Sequence, residues 1–127
     1  MPGARGEVWL DLEGRRVMLF YTTGALREAE RSLGHSVIRA LQPSEGRDLS
    51  ITEVAVLLHV GMEHGRRAAH LGSRAITMAD ADAVIDELGV MEVYRIVGTA
   101  IAEVLNPDGR SDGDQDNAGN LTAPTGS

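Results

Sequence analysis

Apolar and polar residues alternate twice near the start of the chain. Val8, Leu10 and Leu12 interleave with Trp9, Asp11 and Glu13, and Val17, Leu19 and Tyr21 interleave with Met18 and Phe20. A period of two is that of a β-strand. Gly14, between the runs, supplies a turn position that tolerates positive φ. Residues 7–21 are therefore predicted to form a β-hairpin. Glu13 suits a tight two-residue turn poorly, so a three-residue turn with Gly14 left-handed is at least as strong an expectation.

Beyond Tyr21 the period lengthens to that of a helix. Thr22 or Thr23 can cap a first helix carrying Leu26, Ala29 and Leu33, with Gly34 as its stop. A short piece from Ser36 to Leu41 ends before Pro43, and Pro43 to Asp48 reads as a loop. Ser50 and Glu53 have capping-box spacing and open a helix with the stripe Ile51, Val54, Ala55, Leu58 and Met62. Gly65 to Ala75 is less regular and is predicted to contain a loop. Thr77 and Asp80 signal another helix start, followed by Met78, Ala81, Val84, Ile85 and Leu88 up to Gly89. A last helix carries Val90, Val93, Tyr94, Val97, Ile101, Val104 and Leu105, and Pro107 ends it. The predicted fold is α+β: a flexible N-terminus over 1–6, one domain over 7–106 built from the hairpin and four or five short helices, and a disordered acidic tail over 107–127. That tail is rich in Gly, Asp, Asn, Ser and Thr and has one leucine, too little apolar surface to offset ordering.

Both faces of the hairpin are apolar. Val8, Leu10, Leu12, Val17, Leu19 and Tyr21 share one, and Trp9, Met18 and Phe20 share the other. A two-stranded ribbon needs support, yet one layer of helices covers a single face. The second face either is wrapped by helices too or meets another chain, and open strand edges invite strand addition. Trp9, Met18 and Phe20 are thus the candidate partner-binding residues.

Composition narrows the chemistry. The 127 residues contain no cysteine, which excludes disulfides, zinc thiolate sites and thiol nucleophiles. Aromatics are 3%, so Leu, Val, Ile, Ala and Met must build the core. The net charge of −7 argues against phosphate-led binding of nucleic acid. The first residues lack a signal peptide's apolar stretch and no run has membrane-span length, so a cytoplasmic protein without membrane contact is expected. His59 and Glu63 stand four residues apart with His64 and His70 nearby, but the His-Glu-x-x-His spacing is absent and three convergent ligands are not visible. Asp80, Asp82, Asp86 and Glu87 crowd one helix, where a carboxylate near the N-terminus is favoured by the helix dipole alone. No phosphate-binding glycine loop is present. No catalytic residue, metal or cofactor is assigned, and the chain is read as a non-enzyme.

The order of parts carries a resemblance. A hairpin with an apolar return strand runs into Thr22 to Glu30 (Thr-Thr-Gly-Ala-Leu-x-x-x-Glu), then a Ser-x-x-Glu-capped helix over Ser50 to Met62, then Thr77 to Leu88, Gly89 and a final apolar helix to Leu105. Over about residues 7 to 105 this resembles the tail assembly chaperones of siphophage-like tails, particularly the gene-transfer-agent type. The resemblance implies a protein that coats the helical tape measure protein before the major tail tube protein polymerises around it, and that is missing from the mature particle. It also implies, as in many relatives, a frameshifted longer form of the chain as a further partner; a homo-oligomer is compatible. Two other readings stand beside it: a structural tail completion or connector protein, and a small metal-dependent regulator or enzyme resting on His59, Glu63 and His70.

Overall fold

The computed structural model describes residues 5–42 and 48–107. The alternating segments pair as a hairpin: β1 (Glu7–Leu12) lies antiparallel to β2 (Arg15–Phe20), with Trp9 opposite Met18 and Leu10 opposite Val17. Leu12 faces Arg15, so the connection is the two residues Glu13 and Gly14, not three. Gly14 takes φ 78° while Glu13 stays out of the left-handed region. A turn with positive φ only at its second central residue accepts glutamate at the first. The Glu13 N–H also donates to Glu87 Oε2 at 2.9 Å, which fastens the hairpin tip to a later helix.

Five helices follow: α1 (Thr23–Leu33), α2 (Val37–Ala40), α3 (Ile51–Ala69), α4 (Met78–Leu88) and α5 (Val90–Leu105). The chain is α+β. The short polar residues before each of the first four satisfy backbone donors that the helix leaves unpaired. Thr22, Ser36, Ser50 and Thr77 accept from the N–H groups of Ala25, Arg39, Glu53 and Asp80 respectively. Asp80 returns the bond to the Thr77 N–H, completing a capping box. Gly34 ends α1 at φ 81°, the left-handed conformation that glycine adopts without strain.

The helix α3 runs to Ala69, where an irregular stretch from Gly65 was expected; the loop occupies residues 70–77. Gly61 and Gly65 act as contact points, not breakers. A Cβ at Gly61 would lie 2.4 Å from the Tyr21 ring, and one at Gly65 would lie 1.9 Å from the Met18 carbonyl oxygen. Four residues apart, they share one helix face, and β2 lies directly against it. Tyr21 N–H donates to the Gly6 carbonyl at 3.0 Å, which makes that pair a hydrogen-bonded one. Antiparallel pairs alternate, so Met18 turns its backbone groups away from β1, and Gly65 of α3 meets them. The outer edge of β2 is thereby covered at Met18.

The core gathers Leu10, Leu12, Leu19 and Tyr21 from the hairpin with Val54, Leu57 and Leu58 of α3, Ala25 and Ala29 of α1, Val84 of α4, and Val93, Val97 and Ile101 of α5. The buried Tyr21 hydroxyl donates to the Leu57 carbonyl at 2.8 Å, and burial pushes its pKa upward, so it stays a neutral donor. Tyr21→Phe removes that bond and is expected to cost about 1 kcal/mol in urea unfolding. An unchanged midpoint would show that the bond contributes nothing. Three residues expected in core stripes are exposed instead: Ile51, Met78 and Leu105. Gly6 belongs to the domain, since it is buried and its N–H donates to Glu103 Oε1 at 3.2 Å. This moves the start of the domain inside the stretch expected to be flexible. The expectations for residues 1–4, for most of the Pro43 loop and for the acidic segment beyond Pro107 fall outside the described residues.

Candidate protein-docking site

The second hairpin face, for which both covering by helices and contact with another chain were open, is covered in part. Trp9 is 37% exposed, Phe20 is half-buried and Met18 is only 6% exposed. The correction at Met18 has a geometric cause. Gly65 of α3 lies against the Met18 backbone, and Met62, Leu71 and Ile76 line one cavity with Met18. Trp9 is covered in part by a cation: the Arg16 guanidinium lies 4.6 Å from its ring centroid and is held there by Asp11 at 2.8 Å. The indole N–H donates to Glu7 at 2.9 Å. The three candidates share one face of the hairpin, but Met18 is buried, so that face is exposed chiefly at Trp9.

The histidines and acids of α3 do structural work in this fold. Glu63 is 7% exposed and receives Arg66 at 2.6 Å, Arg67 at 2.8 Å and the Ile76 N–H at 2.8 Å. The Arg66 hydrogen bonds, then the Ile76 N–H and Arg67, hold its carboxyl far below the usual carboxylate range against the opposing effect of burial. His59 Nε2 donates to the Ile76 carbonyl at 2.7 Å, so α3 grips both backbone groups of that residue. His64 turns to Glu28 at 2.8 Å, and His70 closes the helix with φ 55°. These side chains diverge. Among the described residues no group of three or more His, Cys, Asp or Glu side chains is placed to hold a metal ion. In α4, Asp80 serves the cap and Arg74, and Glu87 serves the hairpin tip.

Besides a cavity of about 340 Å³ lined by Arg5, Glu103, Asn106 and Pro107, two larger grooves open on the described residues. One, of about 430 Å³, follows β2 from Arg15 to Met18 and is bounded by α3 and the 70–77 loop. The other, of about 420 Å³, lies between α2 and α5. Gly98 and Ala102 form its floor on α5, and Ile38, Leu41, Tyr94 and Leu105 its walls. Ile38 and Leu105 are each 49% exposed, and Met91, further along α5, is 63% exposed. The Tyr94 hydroxyl donates to the Leu41 carbonyl at 2.7 Å, tying the end of α2 to α5 and fixing the groove's width. A Cβ at Gly98 would meet Leu41 Cδ2 at 4.0 Å, an ordinary van der Waals contact, so the floor has room for a methyl group. Sequence reasoning missed this site. Its available signal was the small and apolar series Met91, Gly98, Ala102 and Leu105 on the side of α5 away from the buried Val93, Val97 and Ile101.

No family model, curated protein or solved structure matches the chain. No helix among the described residues is long and apolar enough to cross a membrane.

Proposed function

We propose that this chain is a tail assembly chaperone that holds a helical segment of the tape measure protein in the α2–α5 groove while tail tube subunits assemble. One observation carries the reading: an apolar groove floored by Gly98 and Ala102, with Ile38 and Leu105 half-exposed on its walls. A small-residue floor lets a second backbone approach closely, and apolar walls take the apolar face of an amphipathic helix. Many copies along a long helix would be needed to coat it. The order of elements that resembles these chaperones supports the same reading.

The test is co-purification of the chain with the tape measure protein encoded alongside it, followed by titration of the two. Binding at micromolar concentrations is expected. Gly98→Leu, which fills the floor, should weaken it more than tenfold without lowering the melting temperature. Absence of binding by the unmodified chain at those concentrations would refute the proposal. Mass spectrometry of finished particles separates chaperone from connector: a chaperone is missing, a connector is retained.

A further inference from the structure

The two edges of the hairpin differ. That of β2 meets Gly65 of α3 at Met18. On β1 the alternation that turns Met18 outward also turns Trp9 and Asp11 outward, because they stand opposite Met18 and Arg16 in the pairs that exchange no backbone bonds. The backbone N–H and carbonyl of Trp9 and of Asp11 have no partner among the described residues, and both residues are exposed. Unpaired backbone groups on an exposed edge are a template for a further strand.

The residues of β1 are complementary to a second copy of themselves. An antiparallel copy centred on Leu10 sets Trp9 opposite Asp11 and Asp11 opposite Trp9. Both are outward residues, so each pair exchanges two backbone bonds, and every free group on Trp9 and Asp11 in both chains is used. On the other face Leu10 meets Leu10 and Val8 meets Leu12, apolar against apolar on the side that packs on the core. Asp11 keeps Arg16 as its counter-charge. Neighbouring registers are worse. Centring the pair on Trp9 sets Glu7 opposite Asp11, and centring it on Asp11 sets that carboxylate opposite its own copy. Like charges directly opposite are destabilising.

We propose that β1 pairs antiparallel with β1 of a second copy about Leu10, joining two hairpins into one four-stranded sheet in the order β2–β1–β1–β2. The contact uses none of the residues that line the α2–α5 groove and does not rest on helix docking there. Two chains of net charge −7 repel each other. The dimer is therefore expected to tighten as salt is added, the reverse of a contact made by ion pairs.

Sedimentation equilibrium of the full chain from about 10 μM to about 1 mM should show a monomer–dimer equilibrium that shifts toward dimer in salt. The register is read separately. The chain has no cysteine, so Glu13→Cys gives a unique site for a nitroxide label, and the proposed pairing sets residue 13 opposite Glu7 of the other copy. Mixed with an unlabelled, nitrogen-15 copy, the labelled chain is expected to broaden the amides of Glu7 and Val8 most strongly. Asp11→Pro removes an N–H that the β1–β2 ladder does not use, and proline is accepted on an edge strand in that orientation. It should abolish the dimer while the melting temperature of the dilute chain changes little; Asp11→Asn, which keeps the N–H, should retain it. A chain that stays monomeric to the highest concentration would overturn the proposal. So would intermolecular broadening strongest at Arg15 or at Gly98, or a dimer lost equally in Asp11→Asn. The mixing experiment decides the register even if Asp11→Pro fails to fold.

Discussion

Gly65→Ala is expected to destabilise the chain by about 3 kcal/mol or more, the scale of overpacking in a tightly filled interior. The added methyl would sit 1.9 Å from the Met18 carbonyl oxygen, and that atom belongs to the backbone of a paired strand, which cannot swing aside as a flexible side chain can. Either α3 lifts off β2 or the hairpin shifts, and both open the contact that holds Leu19 and Tyr21 in the core. The sign makes the result decisive. In a helix interior the same change ordinarily stabilises by about 1 kcal/mol. Gly98→Ala is the matched control, because its methyl meets Leu41 Cδ2 at 4.0 Å, an ordinary contact. It should gain up to about 1 kcal/mol. Urea unfolding of the two variants measures both. A Gly65→Ala protein as stable as the native chain would mean that α3 does not lie against the edge of β2.

Glu63→Gln is expected to cost about 2–3 kcal/mol at neutral pH, the range for breaking charge-assisted bonds in a buried site. The amide cannot serve two guanidinium groups and the Ile76 N–H together, and Arg66, whose third bond goes to the Gly72 carbonyl at 3.0 Å, loses its counter-charge. The 70–77 loop should loosen first. The pH dependence follows from the lowered native pKa. Between the native and unfolded values the unfolded chain binds more protons, so the stabilisation is complete above the ordinary glutamate value of about 4.3. It is lost progressively as the pH falls toward the native value. The gap in stability between native chain and variant should therefore narrow below about pH 4.3. A gap that stays constant down to pH 2.5 would show that Glu63 is not ionised and bridged in the native state.

What the sequence makes legible here is local. Thr22, Gly34, Thr77, Asp80 and Gly89 mark element ends because a cap or a left-handed residue acts within one turn of chain. The hairpin register follows from the alternation of apolar residues, since a slip by one residue would turn Leu10 and Leu19 outward. What depends on distant contacts was not legible. Gly61 and Gly65 look like weak helix positions until Tyr21 and Met18 are seen against them. Met18 alternates with core residues and so reads as outward-facing, yet a helix placed on the strand edge covers it. Glu63 and His59 have ligand-like spacing but spend their bonds on Ile76, thirteen and seventeen residues away. The α2–α5 groove joins Ile38 to Gly98 and Leu105 across most of the chain, and the Tyr94 bond to Leu41 and the shared burial of Val37, Ala40, Val97 and Ile101 in the core bring those segments together.

The claim that this fold works by lending an apolar groove to a partner helix meets its most direct test in the methyl spectra of the chain titrated with helical fragments of the tape measure protein. The account predicts progressive shifts at the Ile38, Met91 and Leu105 methyls, with Leu10 and Leu19 in the core unmoved. Shifts confined to the β2 groove, or spectra unchanged at saturating fragment, would contradict it.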